Sequence, residues 1–247
     1  VALILFPVRA LLTICWIVAG LLTELLAFPL MEFRGRQRLI QGWSRILLRL
    51  CGVRMQCQGQ PIVRGPVLWV ANHVSWLDIF VIDAVRPTSF IAKSDIRRWP
   101  VIGLLVAWAG TLFIDRRQRH AVREAGRQMR DRFQRGDAVG LFPEGTTSDG
   151  LDVRPFHAGL FEAALQAGVP VQPIALRFLQ HGRRTGRFAF VGEQTLVANL
   201  WVLLGARGVA VEVEFLPPLA ADAGDGGRAE LARRTHQAIA HAVRVRD

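Results

Sequence analysis

Two residues in the stretch Asn72-His73-Val74-Ser75-Trp76-Leu77-Asp78 are of types that do chemistry, an imidazole and a carboxylate five positions apart. The apolar run Val67-Leu68-Trp69-Val70-Ala71 before them reads as a buried strand, and a helical pattern starts after Ser75, a good N-cap residue. His73 is then expected on a strand-to-helix turn, with Asp78 in the first helical turn. On a regular helix two residues five apart point about 140° away from each other, so a hydrogen bond between them requires His73 to fold back over the helix start. Three readings stand at this point. One is a capping turn around a satisfied histidine. A metal site has too few ligands, because no other His, Cys or carboxylate lies at ligand spacing nearby. The third is a dyad in which Asp78 orients His73 as a general base.

Further chemistry-bearing residues fall at the ends of other expected strands. Thr111-Leu112-Phe113-Ile114-Asp115-Arg116 ends in a fixed cation that could fork onto a phosphate, or could be an ordinary surface arginine. Leu141-Phe142-Pro143-Glu144-Gly145-Thr146-Thr147-Ser148 ends in a glycine turn with hydroxyls, suited to cradling an anion or hydroxyl and equally to capping. Among 31 Lys and Arg residues the only lysine is Lys93, which marks a position for a compact ammonium or is the chance survivor of an arginine bias. The face with Arg123, Arg127 and Arg130 is that of a solvated helix.

The elements that must position these residues are those of one α/β domain, for which 247 residues suffice. After Gln60-Pro61 short apolar runs alternate with helical stretches. Strands are expected at Val67 to Ala71, Ser89 to Ala92, Thr111 to Ile114, Ala138 to Phe142, Val171 to Leu176, Arg187 to Val191 and Val209 to Phe215. Helices are expected at Leu77 to Ala84, Arg119 to Gln134, Leu160 to Ala167 and Arg228 to Val243, with a loop at Ala220 to Gly227. That alternation predicts an α/β fold, a mostly parallel sheet flanked by helices.

Residues 1–60 read differently, as hydrophobic and basic membrane-anchoring helices ahead of the domain at 61–247. Ala10 to Met31 holds 22 residues with one charge, Glu24, long enough to cross a bilayer. No basic region precedes it and no small-residue cleavage site follows, so a signal peptide is not expected. A span and a monotopic insertion in one leaflet both stay open, and a break at Phe28-Pro29 into a helical hairpin would favour one leaflet. Arg34, Arg36, Arg38, Arg45 and Arg49 follow, placed to meet an anionic lipid surface. The net charge of +11 also suits an acidic carrier such as acyl carrier protein or the phosphates of coenzyme A. Nucleic acid is disfavoured, since most Trp and Phe lie in apolar runs and not among the arginines. Cys15, Cys51 and Cys57 form no disulfide framework, which points to a reducing compartment.

Taken in order, NHVSWLD, FIAKSDIRRWPVIG, GTLFIDR and FPEGTTS, with the Val171-x-Pro173 step, resemble the PlsC-like glycerolipid acyltransferases, the lysophosphatidate (1-acyl-sn-glycerol-3-phosphate) acyltransferase family. The resemblance runs from about Val67 to Ile174. It implies transfer of a fatty acyl group from acyl-CoA or acyl carrier protein to the free hydroxyl of a lysolipid, foremost lysophosphatidate to phosphatidic acid, at the cytoplasmic face of the inner membrane. His73 would take the hydroxyl proton while Asp78 fixes the ring and stabilises the imidazolium, with no acyl-enzyme. The chain indeed has no G-x-S-x-G elbow. Glu144, Gly145 and Thr146 would hold the acceptor, Arg116 its phosphate, and Lys93 would share that phosphate role. Backbone amides after Glu144 or around His73 are candidates for an oxyanion hole. Neither metal nor cofactor is expected. Trp99 to Ala109 is a candidate acyl-tunnel, membrane or core segment.

Two departures bear on the acceptor. Many members carry Arg after EGT, where this chain has Thr147, and PFK where it has Pro155-Phe156-His157. Without those cations a lyso-ornithine lipid or another lysolipid becomes the alternative acceptor. A thioesterase or lipase acting through His73 with Ser75 or water is the competing enzyme class.

Overall fold

The computed structural model describes residues 2–98, 102–108, 110–114, 119–221 and 226–245. The apolar N-terminal stretch is one helix, α1 (Ala2–Leu26), and after a short turn at Phe28–Leu30 the chain returns as α2 (Phe33–Leu50). The break falls at the expected proline, which has no N–H to continue a helical ladder. Two tryptophans lock the hairpin: the indole N–H of Trp16 donates to the Trp43 carbonyl at 3.2 Å, and that of Trp43 to the Trp16 carbonyl at 3.3 Å. Leu5–Leu26 is apolar and long enough to cross a membrane, yet only 11% of its most apolar window is buried in the protein. Leu11, Ile14, Val18, Leu22 and Leu25 are exposed on it, and Arg34, Arg38, Arg45 and Arg49 are exposed on α2. An uncovered apolar helix beside a basic one is the pattern of a membrane-associated element.

Among the described residues eight strands form the sheet: β1 (Val53–Gly59), β2 (Val67–Ala71), β3 (Ser89–Lys93), β4 (Leu112–Ile114), β5 (Ala138–Leu141), β6 (Val171–Gln180), the short β7 (Arg183–Arg184) and β8 (Val209–Phe215). Their order is β1-β8-β6-β2-β5-β3-β4, with β7 beside β6. The block β6-β2-β5-β3-β4 is parallel throughout; β8 runs antiparallel to β6, and β1 parallel to β8. The expected mostly parallel sheet is therefore present. Because β1 lies on the β8 edge, the sheet begins at Val53, upstream of Gln60-Pro61.

The helices are α3 (Leu77–Asp83), α4 (Ile102–Trp108), α5 (Arg119–Gln134), α6 (Phe161–Ala167), α7 (Leu196–Leu204) and α8 (Gly227–Arg244). Alternate residues of β2 enter two cores: Trp69 and Ala71 pack with Leu47, Leu77, Val81 and Leu203, and Leu68 and Val70 with Met129, Phe133, Phe161 and Ile239. One face is thus covered by α2, α3 and α7, the other by α5, α6 and α8, as a parallel sheet requires. Arg177 of β6 joins three elements, donating to Glu212 and Glu214 of β8 at 2.9 and 2.8 Å and to the Ala242 carbonyl of α8 at 2.6 Å.

One expected strand is not formed. Arg187 to Val191 is a loop, although the neighbours Phe188 and Ala189 within it are both buried. Asn199 of α7 donates to the Ala189 carbonyl at 3.1 Å, so a side chain serves this backbone in place of a ladder.

Candidate active site

The turn between β2 and α3 is held by one carboxylate oxygen. Asp78 Oδ2 accepts the Val74 and Ser75 backbone N–H groups at 2.7 and 2.9 Å and lies 2.8 Å from His73 Nδ1. The expected cap, Ser75, has its Oγ 3.5 Å from the Leu77 nitrogen, at the limit of a hydrogen bond. Asp78 caps this turn instead, because a charged oxygen facing two amide donors binds more strongly than a neutral hydroxyl. His73 folds back over the helix start as the geometry demanded, so the capping turn and the dyad are one structure.

With Nδ1 on Asp78, Nε2 is the imidazole nitrogen left for the cavity that His73 lines. Asp78 is fully buried and His73 one-fifth exposed. The ring stacks on Phe142 at 4.1 Å between centroids and 15° between planes, and Phe142 in turn on Phe90 at 5.5 Å and 5°. Gly140 makes room beneath: a methyl there would come within 2.5 Å of the Phe90 ring. This stack fixes the ring plane while Asp78 fixes its tautomer.

The Glu144-Gly145-Thr146-Thr147-Ser148 turn grips the His73 backbone from both sides. Glu144 Oε1 accepts the His73 N–H at 2.7 Å, and the Ser148 N–H donates to the His73 carbonyl at 2.8 Å. Glu144 Oε2 accepts the Arg154 N–H at 2.9 Å, so both carboxylate oxygens are engaged by backbone. Burial raises the Glu144 carboxyl above its ordinary value, opposed by the two amides and His73. Gly145 turns the chain at φ +76°, where an L side chain is strained. Gly145 and Thr146 are exposed and line the cavity with His73. The Thr147 hydroxyl donates to the Phe190 carbonyl.

The amides beside the dyad are largely committed. Those of His73, Val74 and Ser75 face carboxylates and that of Ser148 the His73 carbonyl, whereas no described hydrogen bond takes those of Thr146 and Thr147. Of the two expected sources of an oxyanion hole, the turn after Glu144 has donors to give.

Lys93 closes β3, paired in register with Ile114 at the end of β4. Arg116, two positions beyond β4, lies outside the described residues. Of Trp99 to Ala109, the described part is α4, whose Val106 lines the cavity. Sequence reasoning passed over Asn72, which clasps the Leu176 backbone from both amide atoms at 2.8 and 3.0 Å and so sets the end of β2 against β6. It also passed over Ser148 and Phe142, whose parts depend on contacts across strands.

The cavity holds about 650 Å³. His73, Thr146 and Thr147 lie at one side of it, and its walls are Phe6, Ala10 and Ile14 of α1, Phe80 and Phe90, and Leu196, Leu200 and Leu204 of α7. An apolar chamber with a few convergent polar groups suits a molecule with a long hydrocarbon part and one reacting oxygen.

Comparison with known proteins places this arrangement. Residues 54–177 match the family described as Acyltransferase. A lyso-ornithine lipid O-acyltransferase of Pseudomonas aeruginosa is 40% identical over 207 residues, 83% of this chain and 78% of that protein. A 1-acyl-sn-glycerol-3-phosphate acyltransferase of Neisseria gonorrhoeae is 44% identical over 163 residues, 64% of this chain and 63% of that protein. Among solved structures, the 1-acyl-sn-glycerophosphate acyltransferase PlsC of Thermotoga maritima matches with a TM-score of 0.69 over 98% of this chain and 94% of that one, at 22% identity, a likeness of fold.

Proposed function

The chain belongs to the acyltransferase family, and on that premise we propose that it moves a fatty acyl group from an acyl thioester to the hydroxyl of a lysolipid at a membrane surface, with lyso-ornithine lipid as the favoured acceptor. The observation that carries the chemistry is the contact of His73 Nδ1 with Asp78 Oδ2 at 2.8 Å beside an apolar cavity. His73 Nε2 takes the acceptor's hydroxyl proton as its oxygen attacks the thioester carbonyl. Asp78 supports the imidazolium that forms. The tetrahedral oxyanion is met by amides of the turn after Glu144, and on collapse the thiolate of coenzyme A or acyl carrier protein leaves with the proton from His73. General base catalysis of this kind supplies about 10²–10⁴-fold in rate. Apolar walls favour transfer over hydrolysis.

The acceptor reading rests on several relatives that carry one name. The Pseudomonas lyso-ornithine enzyme aligns over 83% of this chain, and enzymes of the same name from Rhizobium meliloti and Brucella abortus are 37% and 39% identical over about three quarters of it. Thr147 supports it, since the position that carries Arg in many family members spends its hydroxyl on the Phe190 carbonyl. Lysophosphatidate is the second reading, favoured by the 44% identity of the Neisseria enzyme over the shorter span. Lys93 and Arg116 would serve its phosphate. The cytoplasmic face of the inner membrane is the setting in which acyl-CoA or acyl carrier protein meets the anionic lipid that α2 suits.

The test is a lysolipid panel with one labelled acyl donor, read by mass spectrometry. Product is expected from lyso-ornithine lipid, and thiol release should require an acceptor and vanish in His73→Ala. Product from lysophosphatidate alone would move the assignment to phosphatidic acid synthesis. Thiol release without acceptor would make the protein a thioesterase.

A further inference from the structure

Helix α7 reads Leu-Val-Ala-Asn-Leu-Trp-Val-Leu-Leu, apolar at every position except Asn199. A helix at a protein surface ordinarily shows water a polar face, and one that is apolar all round belongs in a core or in lipid. The inner face of α7 is accounted for. Leu196, Leu200 and Leu204 line the cavity. Asn199 is buried, accepts the Trp76 indole N–H at 2.9 Å and donates to the Ala189 carbonyl at 3.1 Å. The outer face has no such cover: Trp201 is 51% exposed, Ala198 is exposed, and Val197, which also lines the cavity, is 75% exposed.

This face continues that of α1. The Phe6 ring lies 4.2 Å from the Trp201 ring, and Arg9 of α1 donates to the Leu204 and Ala206 carbonyls at the end of α7 at 3.1 and 2.6 Å. The two helices are therefore packed together, and the apolar face of α7 adjoins that of α1 through the Phe6-Trp201 contact. At about 1.5 Å per residue the nine residues of α7 cannot cross a hydrocarbon core of about 30 Å. They can lie within one leaflet.

We infer that α7 is a second membrane-inserting element, its outer face bedded among the acyl chains of the leaflet that receives α1. The inference rests on the membrane-bound reading of the chain and extends it. One consequence concerns access. Because α1 and α7 are both walls of the reaction cavity, the seam between them opens into hydrocarbon, and an acyl chain reaches His73 sideways from the leaflet without crossing water. Trp76, bonded to Asn199, ties this wall to the turn that carries the dyad.

An environment-sensitive fluorophore on a cysteine tests insertion without any turnover. The full chain with Cys57→Ser and a label on the exposed Cys15 of α1 is the first sample. A second carries Cys15→Ser, Cys57→Ser and Ala198→Cys, and a third carries the same two serines and Arg123→Cys on exposed α5. Each is mixed with phosphatidylglycerol and phosphatidylethanolamine vesicles bearing brominated acyl chains. Labels at 15 and 198 are expected to be quenched alike and shifted to the blue, and the label at 123 to be unaffected. Quenching at 15 with none at 198 overturns the inference alone; quenching at neither overturns the membrane reading with it. Ala198→Asp gives a second readout, because an acidic residue in the first turn favours the helix and Ala198 does not line the cavity. Its turnover should fall about tenfold on lysolipid in vesicles, as a carboxylate resists the acyl layer, and stay within about twofold on lysolipid in detergent micelles. Equal turnover in both settings would refute the inserted position.

Discussion

Asp78→Asn separates charge from geometry at the dyad. In the native protein a single oxygen, Oδ2, meets His73 Nδ1, the Val74 N–H and the Ser75 N–H at 2.8, 2.7 and 2.9 Å, while Oδ1 is buried with no partner among the described residues. An asparagine can set its carbonyl where Oδ2 sits and its amide nitrogen where Oδ1 sits, keeping all three contacts. What it loses is the negative charge facing the imidazolium. Unit charges about 4 Å apart at an effective dielectric of about 20 interact by about 4 kcal/mol, and each 1.36 kcal/mol is a decade in rate. The expected result is a fall of about 10²–10³ in kcat, with KM for the lysolipid unchanged and a shift in thermal midpoint of only a few degrees. Asp78→Ala removes the acceptor itself and leaves two buried amide donors unpaired, at about 1–3 kcal/mol each, so its midpoint should drop well below that of the asparagine variant. Thiol release against lysolipid concentration, with a melting curve on each variant, reads both effects. A kcat within about threefold of native in Asp78→Asn refutes the electrostatic part, and equal melting losses in the two variants refute the geometric part.

Glu144→Gln can satisfy only one of the two backbone N–H groups that the carboxylate now accepts, so His73 loses part of its grip. Steady-state kinetics should show kcat down about 10- to 100-fold with KM for the acceptor within about twofold, and a raised KM at native kcat would instead place Glu144 on the acceptor. Gly140→Ala pushes on the Phe90 ring and through it on the Phe142-His73 stack; overpacking of this kind destabilises by about 1–3 kcal/mol, and chemical denaturation measures it. Burial holds the Asp83 carboxyl well above its ordinary 3.8. A raised carboxyl gives stability that is full below that value and lost as pH rises through the folded one, so the native midpoint should fall as pH rises above 3.8 more steeply than that of Asp83→Asn, and parallel profiles would contradict this. Thr147→Arg places a cation on the cavity wall and should raise kcat/KM for lysophosphatidate relative to lyso-ornithine lipid by about fivefold or more in a competition assay; an unchanged ratio would show that this position does not read the head group.

Elements were legible in the sequence where one pattern had one physical cause. α5 occupies Arg119–Gln134 as its apolar spacing indicates, with Ala125, Met129 and Phe133 buried on one stripe. β2 and β5 were legible as unbroken apolar runs because the sheet is covered on both faces. β1 was not, because an edge strand reading Val-Arg-Met-Gln-Cys-Gln-Gly buries little and looks like a loop. Arg187 to Val191 misled in the opposite direction: its apolar Phe188 and Ala189 are buried without a ladder, and Asn199 of α7 supplies the hydrogen bond that a neighbouring strand would have given. α7 itself has no polar face to reveal a helical period, so its nine residues, apolar but for Asn199, showed no type at all.

The site divides in the same way. His73 and Asp78 lie within one turn, so their contact depends on local geometry that spacing can express. Glu144 is 71 positions from His73, and what it holds is a backbone N–H, which no pattern of side chains records. The Glu-Gly-Thr turn therefore reads as an acceptor cradle by side-chain type, while its carboxylate accepts the His73 and Arg154 N–H groups and its exposed Gly145 and Thr146 line the cavity. Acceptor recognition is harder again to read, because the residues proposed for it are scattered over the end of β3, the stretch after β4 and the turn after β5, each ordinary by itself. A reaction whose base and orienter are neighbours in sequence can be inferred from a few residues; a head group that is met by several strand ends becomes visible only once the sheet has brought those ends to one rim.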